Sequence, residues 1–113
     1  MHEMSMLESI IETVENEHRK RPFGRVRMIR LTLGALAAAE AESLRFCFAI
    51  IAEGSVAEGA RLDIDTVRGA GWCADCEASV ALTERYAPCP VCGGARLRLT
   101  AGDELQLTEI EVE

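Results

Sequence analysis

Two cysteine pairs, Cys73-Ala74-Asp75-Cys76 and Cys89-Pro90-Val91-Cys92, stand twelve residues apart and constrain this chain more than any other feature. Each short pair can turn two thiolates toward one point, and the spacer is long enough for a hairpin to bring the two turns together. Four sulfurs would then surround a tetrahedral Zn²⁺ at about 2.3 Å, the closed geometry of a structural site. Gly93-Gly94, directly after the second pair, suits a turn that needs positive φ. Two other uses of such cysteines stay open at this level. A redox dithiol needs only one of the pairs, and an iron–sulfur cluster takes a similar ligand set. The fifth cysteine, Cys47, lies between Phe46 and Phe48 on a helical pattern, where a small buried hydrophobe is expected.

Length sets the scale of what surrounds this module. A chain of 113 residues supports one compact domain, or one with a small satellite. No apolar run approaches the roughly 18 to 20 residues of a membrane span, and Met1-His2-Glu3 does not begin a secretory signal. The formal charge of -7 disfavours general polyanion binding, which needs clustered Lys and Arg. A cytoplasmic globular protein is therefore expected, with free or metal-bound rather than disulfide-bonded cysteines.

Periodicity divides the rest of the chain. Met4, Leu7, Ile11 and Val14 recur at helical spacing, predicting an amphipathic helix from about Glu3 or Ser5 to Lys20. Ser5-Met6-Leu7-Glu8 fits a capping box, and Pro22 and Gly24 stop the helix. His18 is expected to be solvated. Arg25 to Leu33 reads as a strand whose apolar parity changes between Met28 and Ile29. Leu44, Cys47, Phe48 and Ile51 predict a second helix over about 39–53, with Gly54 after it. Arg61 to Val67 reads as a short strand and Glu104 to Val112 as the last one. The first and last strands share a parity change, which suggests that they are sheet neighbours. Val80-Ala81-Leu82 and Leu97-Arg98-Leu99 are expected to form a ribbon around the metal. The predicted fold class is α+β: a small sheet of about three strands packed with two helices, plus an inserted zinc-ribbon module. Residues 1–68 and 101–113 would form one domain and residues 69–100 the zinc-binding domain.

The other end of the chain offers a second metal site. In a chain beginning Met-His, the Met1 amine, the deprotonated amide of His2 and the His2 imidazole can chelate one ion in fused rings. The amide of Glu3 can supply a fourth nitrogen. A plane of strong nitrogen donors suits Ni²⁺ or Cu²⁺ over Zn²⁺ or Mg²⁺. Taken alone, an N-terminal His is ordinarily just a solvated residue. In combination the signals gain weight. Met1-His2-Glu3-Met4-Ser5, Arg30-Leu31-Thr32-Leu33-Gly34, Leu44-Arg45-Phe46, Ala57-Glu58-Gly59-Ala60, the two cysteine pairs and Gly102-Asp103-Glu104-Leu105 occur in this order. In that order they resemble the HypA/HybF family of hydrogenase nickel-insertion proteins over nearly the whole chain.

The resemblance implies a metallochaperone, not an enzyme, that carries Ni(II) at its N-terminus and uses Zn(II) structurally. Its implied nickel ligands are the Met1 amine and His2, with Glu3 adjacent. Glu40, where some members have an acidic residue near the metal, ranks below these, since a carboxylate at a helix start has a sufficient structural explanation. Cys73, Cys76, Cys89 and Cys92 match the family's zinc ligands, while the flanking His of some members is missing. Implied partners are a hydrogenase maturation GTPase and the large subunit of a [NiFe]-hydrogenase, and in some organisms urease and its accessory proteins. The rival reading is a zinc-ribbon nucleic-acid or transcription-associated module. Against it, Arg85, Arg96 and Arg98 cancel Asp75, Glu77 and Glu84 around the cysteines. The charge is also segregated. Glu8, Glu12, Glu15 and Glu17 crowd the first helix and Arg21, Arg25, Arg27 and Arg30 follow at once, a pattern suited to steering protein partners.

Overall fold

The computed structural model describes the backbone from His2 and the side chains from Glu3, both to Glu113. Its element order is α1 (His2–Lys20), β1 (Val26–Gly34), α2 (Ala41–Ile51), β2 (Arg61–Val67), β3 (Gly69–Cys73), β4 (Ala78–Leu82), β5 (Leu97–Ala101) and β6 (Leu105–Val112). The strands form two three-stranded sheets, ordered β2-β1-β6 and β4-β3-β5. β1 and β6 are thus neighbours, as their shared parity change suggests.

The described chain falls into two compact units. One comprises Met1–Leu31, Ala39–Ile64 and Leu107–Glu113; the other comprises Thr32–Ala38 and Asp65–Gln106. The second contains the 69–100 segment together with adjoining strand ends, including that of β1, and the turn after β1 up to Ala38.

The first unit is organised by apolar side chains at helical and strand spacing. Leu7, Ile11 and Val14 of α1 and Leu44, Cys47 and Phe48 of α2 are buried, and the two helices pack on each other. Val26, Met28, Ile29 and Leu31 of β1 are buried as well. The adjacent burial of Met28 and Ile29 is the parity change seen in the sequence, here on the central strand of its sheet. Polar contacts fix the chain between these elements. The Glu15 carboxylate accepts the Val56 backbone N–H at 2.8 Å, tying α1 to the turn after α2. Arg30 reaches Asp63 of β2 at 3.4 Å and Glu109 of β6 at 3.5 Å, so one guanidinium bridges both neighbours of its strand.

Three local expectations change. α1 is already helical at His2, so Ser5 lies inside the helix and is not its cap. His18 is half-buried, with Nε2 2.9 Å from the Phe23 carbonyl oxygen and its ring edge-on to Phe23 at 4.7 Å. It therefore pins the end of α1 to the following turn instead of lying in solvent. β3 was hidden because Gly69-Ala70-Gly71 carries no β-branched or aromatic side chain.

In the second unit, backbones approach without side chains between them. A Cβ on Gly34 would lie 2.1 Å from the Gly102 carbonyl oxygen, and one on Gly102 would lie 2.4 Å from the Gly69 Cα. The Leu36 N–H donates to Gly102 O at 2.6 Å and the Gly34 N–H to Glu104 O at 2.7 Å. Gly102 also has φ +101, which side-chain-bearing residues rarely adopt. Gly34→Ala should therefore cost about 3 kcal/mol, since the contact is with backbone and cannot relax by a rotamer change. Urea unfolding of the zinc-loaded protein would measure this; a loss under about 1 kcal/mol would show that the strands can part.

Candidate metal centre

The second sheet places the four cysteines. Cys73 ends β3 and pairs with Ala78 of β4 on one side and Leu97 of β5 on the other. The first cysteine pair is therefore the tight connection between β3 and β4. The second lies in the 83–96 segment between β4 and β5, where Cys89 N–H donates to Gly94 O at 2.9 Å and Gly93 N–H to Cys89 O at 2.8 Å. Arg96 O accepts the Ala74 N–H at 3.0 Å, which draws the two turns alongside each other. After each pair comes a left-handed residue, Glu77 at φ 51 and Gly93 at φ 73. The two turns thus share one backbone shape. Only the second carries the residue that adopts it without a steric cost.

All four Sγ atoms lie within 4.8 Å of one another. Cys73 Sγ is 3.7 Å from Cys92 Sγ, and Cys76 Sγ is 3.9 Å from Cys89 Sγ. A regular tetrahedron with 2.3 Å metal–sulfur arms has edges of about 3.8 Å, whereas a disulfide needs about 2.05 Å. The spacing fits a four-coordinate ion and all five cysteines are free thiols. Cys73 and Cys89 are buried, Cys76 is half-buried and Cys92 is exposed. Backbone N–H groups point at three of the sulfurs at 3.4 Å: Cys76 N–H at Cys73, Val91 N–H at Cys89, and Gly94 N–H at Cys92. Such donors stabilise thiolate charge.

Electrostatics divides the thiols. The backbone N–H groups of Cys92 and Val91 lower Cys89 to about 7. Hydrogen bonding with the sulfurs of Cys92 and Cys73, followed by burial, pushes Cys76 up to about 12. Without metal, one thiolate is ready near neutral pH and another sulfur holds its proton until a dication displaces it. The set has four protein donors and leaves no open position, which suits structural zinc.

Around the sulfurs, Asp75 pairs with Arg96 at 3.1 Å. A Cβ on Gly94 would sit 2.8 Å from Asp75 Oδ2 and 3.3 Å from Cys92 Sγ. Neither contact was legible in advance, although the matched positions of Glu77 and Gly93 after their cysteine pairs were available as a signal. Leu36, Val80 and Leu82 complete the small buried cluster with Cys73 and Cys89, and Leu97 and Leu99 pack against it.

At the start of the chain, the Met1 amine and the His2 imidazole lie outside the described residues. Glu3 is half-buried and lines a pocket of about 350 Å³ with Glu42, Ser43, Phe46 and Cys47. Glu40 is exposed at the N-cap of α2 and makes no side-chain capping bond. Cys47 is buried in the core, as its apolar setting predicts.

The geometry and the sequence meet in the comparison with known proteins. Residues 1–112 match the family described as hydrogenase/urease nickel incorporation, metallochaperone, HypA. The chain belongs to the HypA family. Relatives named hydrogenase maturation factor HypA include one from Methylocella silvestris at 59% identity and one from Azotobacter vinelandii at 52%, both covering all 113 residues and the whole relative. A solution structure of HypA protein aligns with TM-score 0.74 at 26% identity, covering 100% of this chain and 97% of that one. The solution structure of the Ni metallochaperone HypA from Helicobacter pylori aligns with TM-score 0.71 at 24% identity, over 97% and 96% of the two chains, and shares the fold. Membership places the protein among the nickel metallochaperones of hydrogenase maturation, with a cysteine cluster suited to structural zinc, and the nucleic-acid alternative is not favoured. No helix among the described residues is long and apolar enough to cross a membrane.

The protonated Cys76 and the left-handed Glu77 each have a measurable consequence. Zinc uptake should release protons, so zinc retention against a competing chelator should weaken as pH falls, because Cys76 must lose its proton to ligate. A retention profile flat from pH 8 to pH 5 would contradict four-thiolate ligation. Glu77→Gly should raise stability by about 0.5–1 kcal/mol, the relief of a left-handed side chain exceeding the added freedom of the unfolded chain. Thermal unfolding of the zinc-loaded protein reads this directly, and a lowered midpoint would show that the Glu77 side chain has a stabilising role.

Proposed function

We propose that this protein carries Ni(II) at its first residues and delivers it to the large subunit of a [NiFe]-hydrogenase. The Met1 amine, His2 and Glu3 hold the ion, Glu40 ranks below them, and Cys73, Cys76, Cys89 and Cys92 hold a structural Zn(II). Nickel is the cargo of residues 1–68 and 101–113; residues 69–100 form the zinc domain. The observation that supports this reading is that α1 begins at His2. The first four N–H groups of a helix have no intrahelical acceptor. The amides of His2 and Glu3 can therefore lose their protons and bind nickel without breaking a helical hydrogen bond. The positive end of the helix dipole assists that deprotonation, and two amide anions offset the charge of the incoming dication. Square-planar nitrogen ligation favours Ni²⁺ or Cu²⁺ over Zn²⁺ or Mg²⁺ by geometry, and the open faces of such a plane let an acceptor displace the ligands.

The partners of this reading are a hydrogenase maturation GTPase and the hydrogenase large subunit, with urease accessory proteins as a further outlet. It works in the cytoplasm, and it is a carrier and not an enzyme, since a zinc ion closed by four thiolates offers no position to a substrate.

Nickel titration of the untagged protein should give one equivalent bound with a square-planar visible band. His2→Ala, or an N-terminal extension, should abolish that binding while zinc content stays unchanged. Tight nickel binding that survives both changes would overturn the terminal site. Affinity should also fall as pH drops, because protons compete for the amine, imidazole and amide nitrogens.

A further inference from the structure

A cavity of about 480 Å³ opens on the face of the second sheet where β3 offers almost no side chains. Gly69 and Gly71 share that face with Cys73, and the register sets Gly71 opposite Val80 of β4 and Leu99 of β5. Leu82 leans over the glycines, its Cδ1 2.9 Å from where a Gly71 Cβ would stand. Leu82, Leu97 and Leu99 are left as an apolar lining with open space before them. Pro88 and Ala95 wall the cavity, one before and one after the turn that carries Cys89 and Cys92. Two residues at the rim complete it. Tyr86 is 97% exposed and has φ 65, a left-handed backbone that a bulky side chain adopts only at a steric cost. Its ring contact is with Arg85, whose guanidinium carbon lies 5.9 Å from the ring centroid. Arg85 is held loosely in turn, by the Leu36 carbonyl oxygen at 3.4 Å and by Asp103 at 4.0 Å, both at the long end of such contacts. Most of its five N–H donors therefore stay available.

We propose that this cavity binds a small organic anion with one negative charge and an aromatic body. The charge meets Arg85, and the ring lies between Tyr86 and the three leucines. Concave, mostly apolar sites of this volume with a few polar groups are the ordinary form of a small-molecule site. Arg85 is the charged residue of the lining, which sets the ligand's charge at one, and Tyr86 offers a stacking face to a flat ring. Size argues against a folded protein as the occupant. A stable interface buries about 800 Å² on each side, more than a cleft framed by two strand ends and one loop offers. The backbone of Tyr86 fits the same reading, because residues held in sparsely populated conformations cluster where a side chain must meet a ligand. A ligand seated here lies against both stems of the second cysteine turn. The site is independent of the nickel reading, and either can fail without the other.

Naphthoate titrated into the zinc-loaded protein tests this, followed by NMR. It should give saturable shifts of the Leu82, Leu97 and Leu99 methyl signals and of the ring signals of Tyr86, the one tyrosine of the chain. Naphthalenemethanol, which keeps the rings and lacks the charge, should bind about tenfold more weakly, a comparison that needs no variant. Arg85→Gln should lower naphthoate affinity to that of the alcohol, with the thermal midpoint unchanged, and Arg85→Lys should restore most of it. Arg98→Gln, on the opposite face of β5, should change nothing. Failure to saturate at millimolar naphthoate, or equal binding of acid and alcohol, overturns the site. A short peptide ending in Phe with a free carboxylate that binds more tightly than naphthoate by about tenfold or more overturns the small-molecule assignment in favour of a chain terminus.

Discussion

Four sulfurs drawn to one point hold the second unit together. Its buried cluster contains only Leu36, Val80 and Leu82 besides two of the cysteines. Even with Leu97 and Leu99 packed against it, this is a small core for a unit that spans Thr32–Ala38 and Asp65–Gln106, and an ion held by the four cysteines would add to its order. The strand pattern serves that end. Cys73 sits at the tip of the central strand, flanked by Ala78 and Leu97, and both sheet edges lead their turns to the same place. The four-cysteine cluster suits a zinc ion that is part of the fold, while the nickel site proposed above is an addition to a helix end. Chemistry keeps the two metals apart, with soft thiolates for one and nitrogen donors for the other.

Backbone contact is the second constraint. Gly34, Gly69 and Gly102 stack where side chains would collide, and the neighbouring N–H groups of Gly34 and Leu36 donate across the same junction. The first unit is built differently. Its helices pack on each other and bury Leu7, Val14, Leu44 and Phe48, and Glu15 and Arg30 complete it as polar ties between elements distant in sequence.

Much of this was legible from residue order, and the exceptions have physical causes. Both helices, the β2 bounds and the neighbourhood of β1 and β6 follow from apolar spacing, because burial is what spacing encodes. The four cysteines came together because a tetrahedral dication tolerates few other arrangements of two such pairs. β3 was not legible: Gly69 and Gly71 are there for close approach, with Leu82 Cδ1 and backbone oxygens beside them, and small residues carry no periodic signal. His18 was misread because its partner is a main-chain carbonyl, to which any residue could contribute. Ser5 resembled a cap because the motif is short and the helix begins earlier. Glu42 beside Glu3 depends on how α1 packs on α2, which lies beyond either segment read alone.

The cysteines are not equivalent in their access to solvent, and that asymmetry orders events at the site. Cys73 and Cys89 are shut away, while Cys92 faces water. Any attacking species, whether a peroxide, an electrophile or a competing thiol, reaches the Cys92 sulfur first. The buried Cys73 and Cys89 would be shielded from the same attack. Cys73, Cys76, Cys89 and Cys92 would together set how tightly a zinc ion is held, while Cys92 is the ligand that a solvent-borne competitor would meet.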